Sequence, residues 1–310
     1  QQAHAPSMLP GVINNSPAII MTDGGHGPAM EPLVMLLIAL LCMSAGTVGA
    51  LMGIGGGIII IPLLTLGFGV PMQEAIGASL IGVIATSTGA ATKYVKQGLT
   101  NVRLALFLEM STTLGSIVGA LIAVYTNQTV LLLLFSVLLV YAGFTMLRRT
   151  EMFFSPEDLE AEAQMVDLSC RYTDPRDHCE VSYGVTGLGK GLGYSSVAGM
   201  LSGLLGVGGG LVKVPVMNVC MCVPLKAATA TSNFMIGVTA LTGAIIYYGH
   251  GLLDVYLCGA VALGTFAGAY VGTMLMARYS SGDLRKWFAV LIFVVAFTMV
   301  LKAFGLWGGA

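Results

Sequence analysis

The chain has 310 residues, of which 56% are hydrophobic and 9% charged, against roughly 25% charged in soluble proteins. With a mean hydropathy of +0.86 this composition excludes a soluble globular protein and reads as an integral membrane protein. A formal net charge of −1, with no basic stripe, excludes nucleic acid as a partner.

Residues 1–32 carry prolines, glycines, His4 and His26 but no Lys or Arg, and read as an interfacial or poorly ordered tail; the start at Gln1 fits processing or truncation. Apolar runs follow at about 33–52, 54–70, 77–95, 103–125 and 130–147, most of them near the ~20 residues that cross the hydrocarbon. Residues 148–189 change character, with Arg148, Arg149, Glu151, Glu157, Asp158, Glu160, Glu162, Asp167 and Asp174, and read as an acidic aqueous connection. Within it, 155–168 could form a short amphipathic helix that regulates access or binds a partner, against a solvated linker as the default. The apolar pattern then restarts at about 190–205, 208–222, 228–249, 254–276 and 286–305.

The restart is a repeat. Sliding the sequence by 153 residues superposes 46–119 on 199–272 without a gap and matches 22 of 74 positions. The matches are mostly punctuation: GIGGGIIIIP at Gly53–Pro62 returns as GVGGGLVKVP at Gly206–Pro215, and Pro71/Pro224, Ser79/Ser232, Tyr94/Tyr247, Gly98/Gly251 and Gly115/Gly268 also pair. Three glycines with a proline five residues later cannot support an unbroken helix, because glycine lacks the restricting Cβ and proline lacks an N–H. Each copy is therefore predicted to break a membrane helix. Unpaired backbone inside a bilayer survives only where protein or a water-filled cavity receives it, so a repeated break points to a binding site.

Basic residues collect on the cytoplasmic side of membrane proteins. Ten crossings put Lys93, Lys96, Arg103, Arg148, Arg149, Arg171, Arg176, Lys190, Lys226, Arg278, Arg285 and Lys286 on one side, leaving Lys213 and Lys302 outside that set. The expected fold is all-α: about ten transmembrane segments as two inverted five-helix repeats, 33–147 and 190–310, broken at the glycine triplets and joined by the cytoplasmic connection 148–189. Both termini, including the 1–32 tail, would then be extracytoplasmic, in a multi-pass protein of the cell (inner) membrane. The short second and seventh runs could instead be re-entrant.

The paired GxGGG(x)4P motifs, with the following Ala-x-x-x-Ser and Tyr-x-x-x-Gly-x-x-(Asn/Asp) patterns, resemble the sulfite exporter TauE/SafE family of membrane permeases over roughly 44–125 and 197–305. The resemblance implies transport of small sulfur-containing anions, such as sulfite or short organosulfonates, without an ATPase domain. The acidic connection at 150–189 departs from the shortest members and is not explained by it.

The residues themselves agree with an anion without requiring sulfur. Broken helices expose N–H groups with partial positive charge, and glycine lets an oxyanion approach the backbone. Gly55, Gly56, Gly57, Gly208, Gly209 and Gly210 are thus candidate substrate-binding positions, with close helix packing as the alternative. Gly115-x-x-x-Gly119 and Gly268-x-x-x-Gly272 read as packing motifs. Ser79, Ser232 and Asn233 could donate to an oxyanion or could join helices. Thr86, Thr239 and Thr242 rank lower, because threonine commonly bonds its own helix. Tyr94 and Tyr247 read as interfacial anchors rather than ligands.

Lys213 lies inside the second break, opposite Ile60 in the first. A lysine in that setting costs roughly 2.5–3.5 kcal/mol on insertion scales, so it needs a partner, a cavity or an anionic substrate. Glu109, whose counterpart is Ala262, is a candidate proton-coupling group; it could equally be a paired carboxylate, with Arg103 near it in sequence and Lys213 a partner available in the fold. Cys220 and Cys222 form a C-x-C pair that could meet reactive sulfur or a soft metal, with core packing favoured. The six cysteines show no framework spacing, and His178 with Cys179 and Cys170 is too irregular for a zinc site. No metal, cofactor or catalytic residue is expected.

The leading function is a secondary transporter of small anions, an exporter by resemblance, with a proton or the membrane potential as driving force. A homo-oligomer is compatible with this. An anion channel and a membrane sensor or scaffold are the alternatives, separated by unitary currents in the first case and by binding without flux in the second.

Overall fold

The computed structural model describes residues 32–148, 168–173, 180–276 and 281–304. The first half runs α1 (Pro32–Met52), α2 (Gly57–Pro62), α3 (Met72–Lys96), α4 (Val102–Tyr125) and α5 (Gln128–Arg148). A hairpin of β1 (Cys170–Thr173) and β2 (Glu180–Tyr183) leads into α6 (Leu188–Leu205), α7 (Gly210–Pro215), α8 (Leu225–Gly249), α9 (Val255–Met276) and α10 (Ser281–Ala303). The hairpin corrects the all-α expectation. Its strands are antiparallel, Cys170 facing Tyr183 and Thr173 facing Glu180.

Both breaks fall where the glycines and prolines put them. Gly55, Gly56, Gly208 and Gly209 take φ of 83°, 82°, 76° and 73°, a left-handed conformation that glycine reaches without steric cost. Beyond each break the short helix passes into a π-helical turn, Leu63–Gly67 after Pro62 and Val216–Cys220 after Pro215. A proline that cannot donate to the ladder accounts for the widened turn. The third and eighth helices start earlier than their apolar runs, at Met72 and Leu225, each with a proline at the N-cap. Glu74 in the first turn of α3 lowers the local hydropathy but suits a helix N-terminus.

Five helices, α1, α3, α4, α8 and α9, are long and apolar enough to cross a membrane, among the described residues. Their outer faces remain apolar and exposed, with Leu33, Met110, Leu114, Val255 and Leu263 each more than 60% open, which a lipid solvent accommodates and water does not.

The helices meet in pairs that recur at the 153-residue offset. α1 packs on α9 as α4 packs on α6, and α3 packs on α9 as α8 packs on α4. Small residues make the close crossings. A Cβ on Gly268 would lie 1.9 Å from the Met43 carbonyl oxygen and one on Gly115 2.1 Å from that of Ser196; the two G-x-x-x-G motifs are packing motifs, as read. An apolar cluster wraps both breaks, including Ile54, Ile58, Ile61, Val83, Val207, Leu211 and Ile236. The hairpin covers a second cluster, in which Tyr172 and Tyr183 join Leu104, Leu108, Met217 and Met221.

Candidate functional site

The two breaks cross each other at the centre of the molecule. A Cβ on Gly57 would stand 2.4 Å from the Gly206 carbonyl oxygen, and one on Gly210 2.0 Å from that of Gly53, so only glycine allows the backbones this close. Ser79 donates to the Gly206 carbonyl at 2.9 Å and Ser232 to the Gly53 carbonyl at 2.9 Å. Each serine thus satisfies a carbonyl that the break leaves without a helical donor. Asn233 donates through Nδ2 to the Ala50 carbonyl at 3.0 Å and to Thr229 at 3.2 Å, while its buried Oδ1 accepts no hydrogen bond among the described residues. Gly55 and Gly208 share their neighbours, Val83 and Ile236, and Gly56 and Gly209 lie against the carbonyls of Ala45 and Ala198.

The paired tyrosines are buried inside this arrangement and are not interfacial anchors. Tyr94 and Tyr247 are both 0% exposed, and their hydroxyls reach the carbonyls of Ala50 at 3.2 Å and Gly203 at 3.4 Å. They too serve helix ends that the breaks leave short of donors.

A buried ion pair enters on one side only, among the described residues; beyond the first break the half-buried Lys302 donates to the Thr65 carbonyl. Lys213, in the last turn of α7, is 1% exposed, and Glu109, on α4, is 7% exposed. The Lys213 Nζ lies 3.5 Å from Glu109 Oε2 and donates to Thr239 Oγ1 at 2.7 Å. Thr239, on α8, donates in turn to Glu109 Oε1 at 2.6 Å, and its Oγ1 also lies 3.1 Å from the Met235 carbonyl. Thr113 adds a longer contact to Oε1 at 3.4 Å. Glu109 therefore pairs with Lys213, while Arg103 is exposed. Three helices from both halves converge to hold one buried ion pair, whose desolvation is offset only because each charge meets the other and a bridging hydroxyl.

Thr239 is the member that sequence reasoning ranked too low. Thr86, its partner at the repeat offset, does bond its own helix, at the Gly82 carbonyl, and Thr242 bonds Val238. The available signal was Lys213 itself, which needed a polar neighbour on a facing helix. Cys220 and Cys222 are half-buried, and Cys222 accepts a contact from Thr186 Oγ1 at 3.4 Å. Among the described residues no three His, Cys, Asp or Glu side chains are placed to hold a metal. His178 and Cys179, the 1–32 tail except Pro32, and all of 155–168 except Leu168 lie outside the described residues.

Comparison with known proteins fits this architecture. The family model described as Sulfite exporter TauE/SafE matches residues 37–299. Among curated proteins, the chain is 24% identical over 280 residues to the Probable membrane transporter protein YunE of Bacillus subtilis, covering 86% of this chain and 97% of that one. It is 28% identical over 266 residues to a Probable membrane transporter protein of Xylella fastidiosa, covering 84% and 94%. A similar match, 24% over 286 residues with 87% and 96% covered, joins it to the Probable membrane transporter protein MJ0441 of Methanocaldococcus jannaschii. No solved structure matches the chain. A match spanning nearly all of both repeats, on a multi-pass helical protein with two broken helices, leads to one conclusion: the chain belongs to the sulfite exporter TauE/SafE family and is a membrane transporter.

Proposed function

We propose that the chain is a secondary transporter that exports small sulfur-containing anions, sulfite or short organosulfonates, across the cell (inner) membrane. The observation that carries this reading is Lys213, a cation fully buried at one of two crossed helix breaks. A buried lysine is retained in such a place at a cost, and intramembrane ionisable groups mark substrate and ion paths. Lys213 supplies the attraction for the anion. Gly55, Gly56, Gly57, Gly208, Gly209 and Gly210 supply backbone that an oxyanion can approach, and Ser79, Ser232 and Asn233 supply donors once the crossed breaks separate. Sulfur as the element follows from the family's description.

We further infer that 33–147 and 190–310 are halves inserted in opposite senses, with 148–189 cytoplasmic and both termini outside. The contacts that recur at the repeat offset and the one-sided Lys and Arg support this. Counterflow of labelled sulfite and short sulfonates in proteoliposomes tests the function. Saturable exchange is the expected result; unitary currents would make the protein a channel, and binding without flux a sensor.

A further inference from the structure

We propose that Glu109 is the internal counter-ion of Lys213 and that its protonation frees the lysine for the substrate anion, so that one proton travels with each anion. This rests on the reading of the chain as an anion carrier and adds its coupling ion and stoichiometry.

The charge count at the site compels the link. Lys213 and a charged Glu109 sum to zero inside an apolar shell. An anion joining that pair would leave one uncompensated negative charge, which a low-dielectric interior penalises heavily. Adding a proton to Glu109 returns the sum to zero. Proton and anion therefore bind better together than either alone, and by linkage each raises the affinity for the other by the same factor.

The hydrogen bonds allow the exchange. Glu109 Oε2 is buried and accepts no hydrogen bond among the described residues; it faces Lys213 Nζ at 3.5 Å, so it is the oxygen that takes the proton as the lysine turns to the anion. The new bond is Oε2–H, and no other bond forms or breaks. Thr239 has two acceptors in reach, Glu109 Oε1 at 2.6 Å and the Met235 carbonyl at 3.1 Å. It can follow the carboxyl in its charged form and turn to its own helix when the carboxyl is neutral, leaving no hydroxyl proton unpaired. At the repeat offset the first break has Ile60, Thr86 and Ala262 in these three places, so the device exists once per chain.

Other titratable groups surround α4. On α4 itself are Arg103 and Tyr125, both exposed; α6 carries Lys190 and Tyr194, also exposed. The segment Gly210–Cys220 carries Lys213 and Cys220, and α8 carries Lys226, Tyr247 and Tyr248. The hairpin adds Cys170, Arg171, Tyr172, Glu180 and Tyr183 near the start of α4. The ion pair to Glu109 is made by Lys213.

The test uses purified full-length protein and methanesulfonate, an anion that does not itself titrate near neutral pH. Wild type should take up about one proton per anion bound, read with a pH indicator in weak buffer, and its affinity should fall as pH rises. Glu109→Gln, which keeps the neutral shape, should bind the anion with a pH-independent affinity near the wild type's low-pH value and take up no proton. Binding by the wild type with no proton uptake and no pH slope would overturn the coupling and leave the anion reading standing. Failure of the wild type to bind methanesulfonate or sulfite at any pH would overturn both. Proton uptake by the wild type needs no variant, so it decides the matter even if Glu109→Gln does not fold.

Discussion

The first break places Ile60, 0% exposed, where the second places Lys213, 1% exposed, and Ala262 where the other half has Glu109. Around that difference nearly everything is shared. Each break has a serine on the opposite carbonyl, a tyrosine on a helix-end carbonyl and a glycine under the crossing backbone. The comparison separates scaffold from chemistry. What recurs in both halves solves the problem of broken backbone in an apolar setting, and what occurs once, among the described residues, is the buried Lys213–Glu109 ion pair.

Substitutions made in pairs can break this division. The largest effect should come from Gly57→Val and Gly210→Val, whose added atoms run into the opposing carbonyl at 2.4 and 2.0 Å. Backbone cannot yield there as a side chain can, so each should cost more than about 3 kcal/mol. Monodisperse protein in detergent should be lost in both variants; loss in one alone would mean that the crossing is not shared equally.

Next comes the unequal pair. Lys213→Met strands the buried Glu109 carboxylate and should lower stability by about 3–5 kcal/mol, whereas Ile60→Met, a swap of similar volume, should cost under about 1.5 kcal/mol. Thermal unfolding reads both. Adding Glu109→Gln to Lys213→Met should recover most of the loss, because the charge left behind is then removed. Equal costs at positions 60 and 213 would erase the distinction between the breaks.

Smaller still, Ser79→Ala and Ser232→Ala each leave one buried carbonyl without a donor, for about 1–3 kcal/mol apiece. The two values should agree closely. A marked difference would show that one serine has a duty beyond its carbonyl, which is where a role in anion binding would first appear.

Much of the scaffold was legible in the sequence because it is written in local chemistry. Gly55 to Gly57, Pro62 and their copies state a break without reference to anything distant. Glu109 was legible as a partner for Lys213, and the ion pair forms; the partners of Ser79 and Tyr94 and the bridging place of Thr239 were not, since each depends on another helix, and Thr239 and Glu109, 130 residues apart, meet only through the fold. Tyr94 looked like an anchor because it stands near a helix end, and the broken helix beside it needed a donor more than the interface needed a ring. The hairpin was hidden for a different reason: Cys170–Thr173 and Glu180–Tyr183 are four-residue strands inside a polar connection whose charge dominated the reading.

The one-sided charge is tested most directly by anion affinity. Calorimetry of sulfite and methanesulfonate on folded Lys213→Met/Glu109→Gln, beside Lys213→Arg, should find no binding in the first and weakened binding in the second. Wild-type affinity in the folded double variant would contradict the assignment of Lys213 to the anion and return the buried pair to a structural part.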